Sequence, residues 1–101
     1  MKGIFKVVDV LDLEGNRKRS EDSLDRIGRV VKLSEDDIKI GERLFVECIQ
    51  PGFMKSFITT EVSGYSPVEW NSIIKNGLTI VTQNSAYLFQ YLREKGMAVL
   101  D

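Results

Sequence analysis

The sequence contains no histidine and a single cysteine, and each shortage removes a class of chemistry. Most metal sites, and most acid–base or Ser/Cys nucleophile arrangements at neutral pH, rely on an imidazole. An enzyme without one works with carboxylates, lysine or tyrosine, and no phosphate-cradling glycine loop or other catalytic template is present to direct them. The expectation is a non-enzymatic protein with no metal and no cofactor. Cys48 has no second cysteine to pair with, which fits a reducing compartment and places the protein in the cytoplasm. Its neighbours Glu47 and Ile49 offer no positive charge to stabilise a thiolate, so it reads as a buried structural residue.

Long apolar runs are missing as well. No stretch of about eighteen apolar residues exists to cross a membrane, and the opening residues alternate charge with apolar side chains, unlike the core of a signal peptide. The net charge is only -1, so no global field recruits phosphate backbones or anionic lipid. There is no linker, repeat or low-complexity segment, and prolines number two, Pro51 and Pro67. A chain of 101 residues, 43% of them apolar, is one domain spanning residues 1–101 with a single modest core. Charge is concentrated in the first half, since only four of the 14 basic and four of the 15 acidic residues follow Gln50. The second half is therefore either the buried part of the domain or a surface that meets another chain.

What is present is a series of short β-type runs. Ile4 to Leu13 is rich in valine and broken by charges, and Gly15-Asn16 supplies a tight turn at its end. Arg17 to Asp25 reads as a polar return strand or loop. Gly28–Leu33, Leu44–Gln50 and Phe53–Val62 read as further strands, separated by a solvated turn at Ser34–Asp37 and by Pro51-Gly52. Near the C-terminus, Leu78–Thr82 and Ala86–Leu92 flank the polar break Gln83-Asn84-Ser85. In the second arm Tyr87, Phe89 and Tyr91 share one face while Ala86, Leu88, Gln90 and Leu92 share the other. Both faces are largely apolar, which places this arm centrally in a barrel or at an interface. One helix is expected near residues 67–75: Ser66-Pro67-Val68-Glu69 has the form of a capping box with proline at the first helical position, and Asn76-Gly77 would end it. The tail from Arg93 to Asp101 reads either as a short helix start or as a last edge strand. The fold class is thus mainly β, a small antiparallel barrel of SH3-like type with five to six strands and one short helix.

The segments Ile27–Val31, Ile40–Val46, Phe57–Val62 and Thr82–Tyr87 together resemble a set of small, uncharacterised all-β proteins of Gram-positive bacteria and their phages or mobile elements. Those proteins share a Thr-x-Asn-Ser-x-Tyr hairpin preceded by a Thr-Ser-x-Val strand. Residues 82–87 match the first pattern, whereas Thr59-Thr60-Glu61-Val62 departs from the second at its serine. The resemblance covers residues 27–92 and implies a small β fold of bacterial or phage origin.

Three groups of side chains invite a functional reading. Tyr65, Trp70, Tyr87 and Tyr91 are aromatics of the kind that anchor protein interfaces, although Trp70, Tyr87 and Phe89 would equally serve a core. Arg17, Lys18 and Arg19 form the one basic cluster, which on a hairpin tip could contact phosphates, yet Glu21, Asp22 and Asp25 follow and screen it. Glu35-Asp36-Asp37, and the pair Asp12 and Glu14, lack the alternating oxygen ligands of a calcium loop and read as solvated turns. Asn84 and Ser85 are accounted for by turn chemistry. The expected function is a module that binds protein, including a second copy of itself as a homo-oligomer. The alternatives are a nucleic-acid-binding barrel working through Arg17, Lys18 and Arg19, and a small-ligand-binding protein with a pocket of converging polar groups.

Overall fold

The structure, a computed structural model, describes residues 2–49, 55–68 and 76–93. Six strands, β1 (Lys2–Leu11), β2 (Val30–Ser34), β3 (Arg43–Cys48), β4 (Phe57–Val68), β5 (Gly77–Thr82) and β6 (Ala86–Arg93), follow one another around a closed barrel. Every neighbouring pair is antiparallel, and β1 closes the barrel on β6. Closure removes the exposed sheet edges that a small β protein otherwise has to protect.

Alternation explains most of the core. Leu44, Val46 and Cys48 of β3 point inward between the exposed Arg43, Phe45 and Glu47. Strand β1 changes parity part-way: Phe5 and Val7 are fully buried, then a bulge between Val7 and Asp9 shifts the register and brings Val10 inward. The Asp9 carboxylate accepts the Val10 N–H at 2.9 Å and holds the bulge. Tyr87 and Phe89 enter the core from β6, which sits between β1 and β5 as its two apolar faces suggested. Their rings join a row that runs from Phe57 through Tyr87 and Phe89 to Phe5 and Tyr91, with centroids 5.3–6.4 Å apart. Beside Tyr91 the chain needs Gly3, because a Cβ there would lie 2.4 Å from the Arg93 carbonyl oxygen and 2.8 Å from the Tyr91 ring.

The start of the capping-box helix, expected from Ser66, is strand. Ser66, Pro67 and Val68 pair with Thr79, Leu78 and Gly77 as the end of β4, and residues 69–75 lie outside the described residues. Among the described residues β4 pairs with β5 alone beyond Val62, so one flank of this stretch has no described ladder to break, the setting in which a strand tolerates proline. The apolar partner run Leu78–Ile80 outweighs a local capping preference.

Among the described residues a helix forms at α1 (Glu21–Arg26), inside the segment expected to be a polar strand or loop. Gly15 takes φ +93° in the turn, Arg17 makes a single bridge back to Leu11, and the chain then enters α1. Ser20 caps it by accepting the Ser23 N–H at 3.3 Å, Glu21 and Asp22 sit favourably in its first turn, and Gly28 turns the chain at φ +91° after it. Arg29, only 5% exposed, fastens α1 to the barrel. It donates to the Asp25 carbonyl at 3.0 Å, to the Lys55 carbonyl at 2.5 Å and to the Asp25 carboxylate. The chain returns to the barrel through Gly28 N–H to Val7 O and Val7 N–H to Arg29 O. Glu35–Asp37 form a single 3-10 turn capped by the Ser34 hydroxyl.

Candidate functional site

The three basic residues after the first turn do not form one patch. Arg17 is drawn onto Asp9, with Nε donating at 2.9 Å and NH2 at 3.2 Å, and this hydrogen bond and charge raise the guanidinium above the ordinary arginine value. That pKa is already far above neutrality, so the Arg17 guanidinium remains charged across the working range. Lys18 turns the other way and donates to the Ser85 hydroxyl at 2.9 Å. Arg19 stays exposed. A hairpin tip offering three cations to a phosphate backbone is therefore not assembled.

The aromatics separate as well. Tyr87 is 3% exposed and its hydroxyl accepts from Arg26 NH1 at 2.6 Å, so it belongs to the core. Tyr91 is half-buried and packs edge-on to Phe5 at 5.3 Å. Tyr65 is exposed on β4 opposite Ile80, and Trp70 lies outside the described residues. The acidic runs behave as turns: Asp12 accepts the Glu14 and Asn16 N–H groups at 2.9 and 3.0 Å. Among the described residues no three His, Cys, Asp or Glu side chains are grouped as metal ligands would be.

The apolar surface lies elsewhere, on the outer face of β3 and β4. Phe45 is 61% exposed and Ile58 53%, and the two face each other across the ladder. They stand between two ion pairs, Arg43–Glu61 at 3.1 Å on one side and Lys32–Glu47 at 3.7 Å on the other. The face thus carries two large apolar side chains and a zero net charge. Beside Phe45 the barrel wall opens. Strands β2 and β3 pair only at Val31–Cys48 and Lys32–Glu47, and a groove of about 480 Å³ lies beyond, lined by Leu33, Ser34, Asp36, Phe45 and residues of β1. Sequence reading found the strands but not this face. The signal was there in Arg43-x-Phe45-x-Glu47, a phenylalanine in step with two charged residues and so on the polar side of its strand. Its meeting with Ile58 was not legible, because a register shift between Arg43 and Phe45 sets that pairing, with the Leu44 N–H bonded to the Thr59 hydroxyl at 3.1 Å.

Comparison with protein-family models, with curated proteins and with solved structures finds no match. No helix among the described residues is long and apolar enough to cross a membrane. Any functional reading therefore rests on the geometry of the barrel surface.

Proposed function

We propose that the protein is a non-enzymatic interaction module that docks protein through the outer face of β3 and β4, and that the occupant is a second copy of the chain. The observation that carries this reading is the Phe45–Ile58 pair, two large side chains exposed side by side between ion pairs. Isolated exposed apolar residues are ordinary, whereas an apolar centre with a charged rim is the plan of an interface. A second copy suits it because the charges are self-complementary: a two-fold axis through the face sets the Lys32–Glu47 end of one copy against the Arg43–Glu61 end of the other, with both signs at each end. The groove beside Phe45 gives each copy a recess for the partner's ring. Stable interfaces bury roughly 800 Å² per partner, and a face centred on two apolar residues supports a weak, reversible dimer.

The cytoplasmic setting belongs to the same proposal, supported by Cys48, which is buried in β3 with its N–H bonded to the Ser56 hydroxyl at 3.1 Å. So does the bacterial or phage origin suggested by the Thr82–Tyr87 segment. The test is to follow backbone amide resonances on dilution: signals from residues 43–47 and 57–61 should move together with concentration. Concentration-independent spectra would end the self-association reading, and movement centred on Tyr65 instead would place the interface on another face.

A further inference from the structure

Two cations at one end of the barrel have no counter-ion among the described residues. Lys18 and Arg26 are both partly buried. Lys18 is held by the Ser85 hydroxyl, and Arg26 by the Tyr87 hydroxyl and the face of Phe57, 4.6 Å from its guanidinium carbon. All of these partners are neutral, and among the described residues neither cation has a carboxylate within ion-pair distance. Four cations elsewhere on the barrel take a carboxylate, Arg17 with Asp9, Arg29 with Asp25, Lys32 with Glu47 and Arg43 with Glu61, and exposed cations such as Lys6, Arg19 and Lys39 are left to solvent, whereas Lys18 and Arg26 are partly buried. Lys18 and Arg26 also line the same cavity, of about 220 Å³, between α1, β4 and the β5–β6 turn. Two like charges fixed around one cavity repel each other, and an entering anion relieves that repulsion.

The turn itself supplies neutral donors. It is closed by Thr82, whose N–H and hydroxyl both donate to the Ser85 carbonyl while the hydroxyl also accepts the Ser85 N–H. Asn84 was expected to shape this bend with its own side chain. It does not: Asn84 is exposed, lines the cavity, and its carboxamide has no partner among the described residues. The Ser85 hydroxyl accepts from Lys18 and keeps its own proton to donate, and Thr60 of β4 is a further hydroxyl-bearing residue of the lining. Asp22 is the one carboxylate in the lining. It lies exposed on α1 and makes no ion pair with Arg26.

We infer that this cavity binds the phosphoryl group of a small phosphorylated molecule, with Lys18 and Arg26 supplying charge and Asn84, Ser85 and Thr60 supplying neutral hydrogen bonds. Donors arrive from the first connection, α1, β4 and the β5–β6 turn, and so surround a tetrahedral oxyanion rather than meeting a planar carboxylate from one side. The volume admits the phosphoryl group and a few atoms beyond it. Phe57 and Tyr87 are buried beneath, at 7% and 3% exposure, so no aromatic face is offered to a nucleobase.

The test is a titration of the labelled protein with inorganic phosphate at constant ionic strength and neutral pH, followed at the Asn84 and Ser85 amides and the Arg26 Nε–H, with acetate as the parallel arm. Phosphate should shift these resonances saturably while acetate leaves them near their starting positions. Lys18→Met and Arg26→Gln should each weaken phosphate binding about tenfold or more, as loss of a charged hydrogen bond does, and Arg19→Gln should leave it unchanged. Thermal melting confirms that each variant is folded, and Lys18→Met carries the test if Arg26→Gln is not. The inference is overturned if no saturation is reached by about 30 mM phosphate, if acetate moves the same resonances equally, or if Arg19→Gln weakens binding as much as Lys18→Met.

Discussion

Thr82 and Asn84 stand two residues apart in the same polar break and do different things. The break was visible in the sequence as Gln83-Asn84-Ser85 between two β runs, but composition could not say which side chain ties the turn. Thr82 does so because it ends β5 facing inward, 2% exposed, where its hydroxyl has only the Ser85 backbone to bond. Thr82→Val should therefore cost about 1–3 kcal/mol, the cost of leaving buried backbone groups unsatisfied, whereas Asn84→Ala should stay within about 0.5 kcal/mol of wild type. Urea unfolding of the two variants checks the contrast, and equal losses would return Asn84 to a structural role. Gly3 makes a similar point. Nothing in the residues around it marks a need for glycine; the need arises from Arg93 and Tyr91, some ninety residues away in sequence, which pack where a side chain would stand. Gly3→Ala should lower stability by about 1–3 kcal/mol through overpacking, seen as a lowered melting temperature without loss of the β-type circular dichroism signal.

Among the elements, the strands were more legible than the helix. Period-2 alternation in β3 and β6, and glycine- or acid-rich turns between runs, carry over into the barrel because each strand has one face committed to the core. Helix α1 was obscured by its own polarity. It docks through the buried Ser23 and through Arg29, which follows it, while Leu24 stays 46% exposed, so no apolar stripe announced it. The legible sign was Ser20 followed by Glu21 and Asp22, an N-cap with acids in the first turn. The opposite error, a capping box read at Ser66, arose because local capping preference and strand pairing competed and β5 supplied the stronger partner. Arg29 is the side chain that should separate α1 from the rest of the barrel. Removing its head group leaves the Asp25 and Lys55 carbonyls without their donor, and Arg29→Met should raise amide hydrogen exchange across residues 21–26 well before it does so in β5 or β6. Uniform acceleration over the whole barrel would show instead that α1 unfolds only with the core.

At the scale of the whole molecule, the uneven charge distribution has a different meaning from either expectation. The core draws as much on the charged first half, through Phe5, Val7, Val10, Val31, Leu33, Leu44 and Val46, as on Val62, Leu78, Ile80, Tyr87 and Phe89 of the charge-poor half. The extra charges of the first half belong to its turns, to α1 and to the outward faces of its strands. The proposed interaction surface accordingly sits across both halves, where Phe45 from one meets Ile58 from the other, and the lining of the proposed phosphoryl cavity likewise joins Lys18 and Arg26 to Asn84 and Ser85. Neither grouping can be read along the chain, since closure of the barrel and the shifted β3–β4 register create them. The most direct measurement is sedimentation equilibrium of the wild type and of Phe45→Ser from about 10 μM to about 1 mM, the range in which a weak dimer populates. The wild type should rise from monomer towards dimer mass with concentration, while Phe45→Ser, altered at a residue 61% exposed and so equally stable, should remain monomeric throughout. A wild type that stays monomeric at the highest concentration, or a Phe45→Ser variant that dimerises as well as the wild type, would contradict the account.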